Sequence, residues 1–181
     1  MFICTQPNIG IALVEDVTAI KNVVNSAYRG EVSKKGWTTE ANLIDGNVRA
    51  TDAEIIKIIQ PANSVLLKYT NEANEIIGCV NLQQHQQKIY LGMFSVQPQL
   101  QGEGVGKKLL LAAEEYAAHK QCTAIYMMVI SVRTELINWY IRHGYVDTNE
   151  RKPFVEDGVT GKHAQQLEFM VLEKKLPHKV I

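Results

Sequence analysis

The chain has no excess of charge of either sign and no long apolar run, and these absences exclude several functional classes. Its 19 basic residues are balanced by 19 acidic residues, so no net field attracts nucleic acid or an anionic membrane. No run of about eighteen apolar residues is present, and residues 1–10 lack the basic and apolar regions of a signal peptide. The composition therefore predicts a cytoplasmic protein with neither a nucleic-acid nor a membrane partner.

Cysteine is also scarce, with only Cys4, Cys79 and Cys122 in 181 residues. Their odd number, their wide spacing and the lack of histidines at zinc-ligand spacing argue against a disulfide framework or a metal site. Cys79 lies in an apolar run, so we expect it to pack in the core rather than to act as a nucleophile. Reduced thiols are typical of cytosolic proteins.

No linker, repeat or low-complexity tract divides the sequence, so we expect one domain over residues 1–181. Two-residue periodicity and turn signals predict strands, and 3.6-residue periodicity predicts helices. A strand–helix–strand order between residues 88 and 130 requires a parallel strand pair in an otherwise antiparallel sheet, with helices on both faces. The fold class is thus mixed α/β. Strands are predicted at 11–14, 64–69, 75–83, 88–96, 124–130, 145–148 and 166–173, and helices at 16–29, 51–59, 104–119 and 134–142.

Three glycines, Gly102, Gly104 and Gly106, alternate between a predicted strand and a predicted helix. Without side chains there, the backbone can approach a ligand closely, and the first N–H groups of the helix have no intrahelical acceptors. The helix dipole and the charge of Lys107 favour an anion at this point. A diphosphate is the expected occupant, although a glycine turn that merely caps the helix is the simpler alternative.

The spacing of this loop separates it from two other phosphate-binding loops. A P-loop requires glycine where Gln101 stands and a hydroxyl residue where Lys108 stands. The dinucleotide fingerprint requires a third glycine where Lys107 stands, and the preceding antiparallel strands do not fit its fold. The pattern that does fit is Gln-x-x-Gly-x-Gly, over residues 101–106.

Two segments, Phe94–Leu110 and Tyr140–Tyr145, resemble the GNAT superfamily of N-acetyltransferases, and the order of predicted elements matches over residues 11–176. The resemblance implies that fold, with the parallel strands splayed apart, and acetyl-CoA as co-substrate without a metal. The diphosphate would lie on backbone N–H groups and the pantetheine arm would pair with the strand before the loop. The residues implied in binding acetyl-CoA are Phe94, Val96, Gln101, Gly102, Glu103, Gly104, Val105, Gly106 and Lys107.

Tyr140 stands at the position of the family's general-acid tyrosine. Because an ordinary tyrosine pKa is about 10 and a thiol pKa about 8.5, we expect Tyr140 to act chiefly as a hydrogen-bond donor to the leaving thiolate. The alternative is that it packs in the core beside Leu136 and Ile137. Family members often carry asparagine seven residues before the tyrosine, where this chain has Arg133.

The proton acceptor is less well defined, because the strand at residues 90–96 lacks the acid that some relatives place there. Glu40 is the best remaining carboxylate, since its loop could fold over the acceptor site. His85, His143 and a chain of water molecules are the alternatives.

The N-terminal third is where the family shapes its acceptor pocket. Trp37, with the hydroxyls and carboxylate that follow it, could bind the apolar body and ammonium of an amine, or Trp37 could simply anchor its loop. Arg49 and Asp52 are expected to form a solvent-facing pair and helix cap, with binding of a substrate carboxylate as the alternative.

The sequence therefore predicts an N-acetyltransferase that acts on a small-molecule or amino-acid-like primary amine. A protein N-terminus or lysine is the rival acceptor, and a non-catalytic acyl-CoA-binding module is the rival class of function. The apolar final strand, at residues 167–172, predicts a covered or paired position, and a homodimer through this end is one such arrangement.

Overall fold

A computed structural model of the chain describes residues 2–177, and its centre is a seven-stranded sheet. The strand order is β1-β3-β4-β5-β6-β9-β7, and β2 and β8 form a separate two-stranded pair. All neighbours in the large sheet are antiparallel except β5 and β6. The strands are β1 (Ile9–Ile11), β2 (Ile44–Asp45), β3 (Ser64–Thr70), β4 (Ile76–His85), β5 (Lys88–Val96), β6 (Ala124–Ile130), β7 (Val146–Phe154), β8 (Lys162–His163) and β9 (Leu167–Lys175).

Helices cover both faces of the large sheet. Successive residues of a strand point to opposite faces, and the adjacent Leu66 and Leu67 of β3 are both buried, in different clusters. Leu66 packs with residues of the first and third helices, and Leu67 packs with residues of the fourth and fifth. The helices are α1 (Val17–Tyr28), α2 (Gly30–Ser33), α3 (Asp52–Ile59), α4 (Val105–His119) and α5 (Thr134–Arg142).

A β-bulge in β5 separates it from β6. The pairing of β4 with β5 shifts by one residue between Asn81↔Gly92 and Cys79↔Ser95, so β5 carries one extra residue there. Met93 adopts a left-handed conformation at φ 49°, as a bulge residue can. The parallel pairing of β5 with β6 ends at Tyr90↔Tyr126. Beyond that point the two strands are not paired with each other, which confirms the predicted splayed pair.

The sequence predicted the C-terminal half of the fold most closely. The bounds of β5, β6 and α5 are those predicted, and Gly104 is the N-cap of α4. Thr51 caps α3 through a capping box with Glu54, as its spacing predicts.

Several N-terminal predictions were wrong. Strand β1 ends at Ile11, and a 3₁₀ turn follows it. The Asp16 carboxylate does not cap α1, because it accepts bonds from the Leu13 N–H at 2.8 Å and from Lys68 at 2.6 Å instead. Residues 31–45, for which no strand or helix was predicted, contain part of α2 and all of β2. No local pattern reveals the pairing of β2 with the distant β8.

The C-terminal strands also differ in part from expectation. Strand β7 extends to Phe154, well beyond the predicted end, because it pairs along β9. Strand β9 lies between β6 and β7, which accounts for its apolar composition. Cys79 is fully buried, and burial raises the pKa of its thiol to about 12, in keeping with a packing role. Within residues 2–177, no helix combines the length and the apolar character needed to cross a membrane.

Candidate active site

The glycine loop presents unpaired backbone donors at the start of α4. Gly104 is the N-cap residue, with φ 85°, and the helix begins with the bond from the Lys108 N–H to the Gly104 carbonyl at 3.1 Å. The N–H groups of Val105, Gly106 and Lys107 therefore have no acceptor within the helix. A Cβ at Gly104 would meet no atom within 4 Å. Close packing therefore does not require glycine at this position, whereas the positive φ does, and the space beside it is open.

A cleft of about 600 Å³ lies in front of these donors. The rings of Trp37 and Trp139 lie on its wall, 6.2 Å apart. Glu103 and Val105 do not line it; the Val105 side chain packs in the core. The predicted acetyl-CoA residues that do line it are Phe94, Val96, Gln101, Gly102, Gly104, Gly106 and Lys107.

The Gln101 side chain joins the glycine loop to the loop that follows α2. Its Oε1 accepts bonds from the N–H groups of Trp37 at 2.9 Å and Thr38 at 3.3 Å. Its Nε2 donates to the Thr38 hydroxyl at 2.8 Å and to the Val96 carbonyl at 3.0 Å. Gln101 therefore positions two walls of the cleft.

At the end of β5, the peptide groups of Phe94 and Val96 face the gap between β5 and β6. The Gln97 N–H donates to the Ile77 carbonyl in β4. Because the hydrogen-bonding groups of successive residues in a strand point to opposite sides, those of Phe94 and Val96 point away from β4. Their carbonyls accept bonds from the Tyr28 hydroxyl and from Gln101. These two residues thus meet the geometric requirement for pairing with an extended ligand through their N–H groups.

A second and much smaller cavity, of about 70 Å³, lies between the splayed strands. It shares Tyr28, Phe94, Leu136 and Tyr140 with the larger cleft. A molecule in the cleft and a molecule in the cavity would therefore meet at these four residues. We name the two spaces the donor cleft and the inner cavity.

Tyr140 lies at the junction of the two spaces and is only 4% exposed. Its ring packs against Phe94 and Trp139, with centroids 6.2 and 5.2 Å away. Burial raises the pKa of its phenol well above 10, and the nearby phenols of Tyr28 and Tyr145 act in the same direction. The side chain is both a core residue and a wall of the site, so the two interpretations of the sequence are compatible.

Glu40 lies in the wall of the inner cavity, held between two arginines. One carboxylate oxygen accepts a bond from Arg29, and the other accepts a bond from Arg133 at 3.0 Å. The Glu40 N–H also donates to the Tyr28 carbonyl at 3.0 Å. Both guanidinium groups and the carboxylate are almost fully buried. This geometry is that of an ion-pair bridge, and the role of proton acceptor for Glu40 stays a prediction.

Arg133, at the asparagine position of the family pattern, precedes α5 and reaches across to the loop before β2. Besides Glu40, it donates to the Thr38 carbonyl, and its guanidinium lies 5.8 Å from the centre of the Tyr28 ring. Arg29 also donates through Nε to the Thr160 carbonyl at 3.1 Å. The family's acceptor-pocket region was expected to include Arg29, but its pairing with Glu40 was not predicted, because only the tertiary fold brings residues 29, 40, 133 and 160 together.

The predicted pairing of Arg49 with Asp52 was wrong. Asp52 pairs with Lys21 at 2.8 Å, and the helix cap is Thr51. Arg49 lines the inner cavity instead, and its N–H is fixed by Asn25 Oδ1 at 2.7 Å.

The two candidate histidines lie outside the inner cavity. His143 lines the donor cleft, where its ring is 4.1 Å from that of Trp139 and its Nδ1 is 2.8 Å from the Trp139 carbonyl. His85 ends β4 beside Tyr90 and Tyr126, on a separate surface groove.

Comparison with solved structures shows the fold. The ribosomal-protein-S18-alanine N-acetyltransferase of Escherichia coli aligns with a TM-score of 0.68 at 10% identity, over 96% of this chain and 97% of that one. Ard1 of Thermoplasma volcanium aligns with a TM-score of 0.69 at 16% identity, over 94% and 97%. A nourseothricin acetyltransferase aligns with a TM-score of 0.57 at 19% identity, over 64% and 67%. At these identities, the structural similarity does not indicate which acceptor the enzyme uses.

The family follows from the sequence itself. No curated protein sequence matches the chain. The sequence model of the acetyltransferase (GNAT) family matches residues 22–145, which is more than half of the chain and includes the glycine loop, β6 and Tyr140. The chain therefore belongs to the acetyltransferase (GNAT) family and is an acetyl-CoA-dependent N-acetyltransferase.

Proposed function

We propose that this enzyme acetylates the primary amine of a small molecule, with acetyl-CoA in the donor cleft and the amine in the inner cavity. The observation that carries the proposal is the meeting of the two spaces at Phe94 and Tyr140. The small volume of the inner cavity, about 70 Å³, favours a compact amine over a peptide chain.

Acetyl-CoA supplies the acyl group as an activated thioester. Its diphosphate fits the N–H groups of Val105, Gly106 and Lys107, because unpaired donors at a helix start bind phosphate and the loop leaves room for a close approach. Binding of acetyl-CoA by Phe94, Val96 and residues 101–107 stays a proposal. Within this set, we assign different roles to different residues. Gln101 acts through its side-chain bonds to the Trp37–Thr38 segment, and the glycines and Lys107 face the ligand.

Negative charge that develops on the thioester oxygen would be stabilised by a backbone N–H at the end of β5. The Tyr140 hydroxyl would donate a hydrogen bond to the departing sulfur. Because burial raises the pKa of Tyr140 above its ordinary value, complete proton transfer from the phenol is less favourable than donation of a hydrogen bond.

The inner cavity helps to explain how an amine could react without a dedicated base. Arg49 and Arg133 line it, and Glu40, the only carboxylate in its wall among residues 2–177, is already bridged by two arginines. Nearby positive charge disfavours an ammonium ion and so lowers the pKa of a bound amine. Water can then accept the proton. We assign Glu40 to positioning this cavity rather than to proton transfer.

A panel of small and peptidic amines with acetyl-CoA tests the proposal. Release of free CoA thiol should depend on the amine, and at least one small primary amine should exceed a matched N-terminal peptide by about tenfold in kcat/KM. Preference for peptides would contradict the proposed acceptor class. Binding of CoA without thiol release from any amine would contradict catalysis altogether.

Gly106→Val tests the placement of the acetyl-CoA diphosphate. A Cβ at Gly106 would meet Phe94 at 3.4 Å and Trp139 at 3.7 Å, which are ordinary contacts, so the variant should fold. Its side chain would enter the donor cleft and weaken CoA binding by about tenfold. Isothermal titration calorimetry with CoA measures this effect.

Gly10→Val is the control for that experiment, because a Cβ at Gly10 in β1 meets no atom within 4 Å and lies outside the donor cleft. It should leave the Kd of CoA unchanged. Equal affinities for Gly106→Val and the wild type would show that the diphosphate lies elsewhere.

Tyr140→Phe tests the hydrogen bond to the leaving group. The variant keeps the ring packing and loses the hydroxyl, so kcat should fall by about 100-fold with little change in the KM of acetyl-CoA. Tyr116→Phe, in the core outside both spaces, should retain the wild-type kcat. Because burial raises the pKa of Tyr140, the phenol stays protonated and kcat should not fall with Tyr140 ionisation below about pH 10.

A kcat for Tyr140→Phe within about twofold of the wild type would remove Tyr140 from the mechanism. A falling limb between about pH 8 and about pH 9.5 that is present in the wild type and lost in Tyr140→Phe would contradict the effect of burial on its pKa.

A further inference from the structure

The inner cavity has more positive than negative charge in its surroundings. Three guanidinium groups, from Arg29, Arg49 and Arg133, lie in or beside its wall, against the single carboxylate of Glu40. Arg29 and Arg133 share that carboxylate. No other acidic residue lines the cavity among residues 2–177.

Arg49 is the guanidinium whose charge is left uncompensated. In the part of the chain that the structure describes, it makes no ion pair, and the acid nearest to it in sequence, Asp52, is bound to Lys21. The side chain is half-buried, so its charge is only partly solvated. A partly buried cation without a partner is a favourable place for an anion.

The backbone around Arg49 is held in place before any ligand binds. Asn25 in α1 accepts bonds from the N–H groups of both Arg49 and Ala50, at 2.7 and 2.9 Å, and donates to the Ala50 carbonyl at 3.2 Å. These bonds fix the start of the side chain against α1. A guanidinium presented from a fixed backbone loses less entropy when it binds a carboxylate in a bidentate manner.

Arg49 shares the wall of the inner cavity with residues at its junction with the donor cleft. Tyr90 and Tyr28 line the cavity with Arg49, and Tyr28 reaches the Phe94 carbonyl at the junction with the donor cleft. Burial raises the pKa of both phenols; the charge of Arg49 acts against that rise at Tyr90, and the charges of Arg133 and Arg49 act against it at Tyr28.

We infer that Arg49 binds a carboxylate of the acceptor, so that the substrate of this enzyme is a small amino acid rather than a neutral or purely cationic amine. This inference rests on the proposed function and names its substrate class. The carboxylate offsets the charge of Arg49, and the amine points toward Phe94 and Tyr140.

Matched pairs of small amino acids and their amides test the inference. Glycine, L-alanine, L-serine and β-alanine are compared with their carboxamides as acceptors for the wild type and for Arg49→Met. The wild type should favour the acids over the amides by at least about tenfold in kcat/KM, and Arg49→Met should bring that ratio close to one. The amines of the acids and of the amides differ in basicity. This difference cancels when the acid-to-amide ratio of kcat/KM is compared between the wild type and Arg49→Met.

Two variants control for charge and for general damage. Arg49→Lys keeps the positive charge and should retain part of the preference. Arg151→Met removes an exposed arginine of β7 that pairs with Asp147 and lines neither space, and it should keep the full preference. A preference for acids that survives in Arg49→Met, or a wild type that favours the amides, would overturn the inference.

Binding of reaction products separates this inference from the proposed function. N-acetylglycine and N-acetyl-L-alanine are titrated against their amides by calorimetry, with CoA present, in the wild type and in Arg49→Met. If no amine releases thiol, yet the acids bind more tightly only when Arg49 is present, the proposed function fails and the carboxylate site stands. Equal binding of acids and amides by the wild type would overturn the carboxylate site.

Discussion

The ion-pair bridge that Arg29 and Arg133 form on Glu40 is the interaction on which the geometry of the inner cavity depends. It joins the end of α1, the loop before β2 and the junction of β6 with α5, and Arg29 extends it to Thr160. Burial of these charges has a large desolvation cost, and removal of one partner from such a bridge typically costs about 3–5 kcal/mol. The bridge therefore fixes the geometry of the inner cavity more than it adds to stability.

The bridge matters for the proposed catalysis because its members contact the elements that carry Tyr140 and Phe94. Arg133 immediately precedes α5, the helix that carries Tyr140. The Glu40 N–H binds the carbonyl of Tyr28, whose hydroxyl in turn binds the Phe94 carbonyl at the bulge of β5. The donor cleft and the inner cavity are thus linked through buried polar contacts. Gln101 makes a second link, from the glycine loop to the Trp37–Thr38 segment.

The geometry of the glycine loop could be predicted from the sequence, whereas the contacts around the inner cavity could not, and the reason is physical. Gly104 acts through its own φ and the helix that follows it, so a local pattern reveals it. Tyr140 was singled out because residues 140–145 resemble a segment of the GNAT family. Arg49 differs, because Asp52, the acid nearest to it in sequence, pairs instead with Lys21, a contact between residues 31 positions apart. Pairing of β2 with β8 is equally non-local and was missed for the same reason.

Steady-state kinetics of Glu40→Gln, with the acceptor that the wild type uses best, tests most directly whether Glu40 positions the cavity or accepts the proton. Glutamine keeps the shape and one acceptor oxygen but loses the charge that binds both arginines. The account predicts that the acceptor KM rises by about tenfold or more, that kcat keeps its pH dependence, and that the Kd of CoA is unchanged. A large fall in kcat with an unchanged acceptor KM, together with loss of the acidic limb of the pH profile, would contradict it and would identify Glu40 as the base.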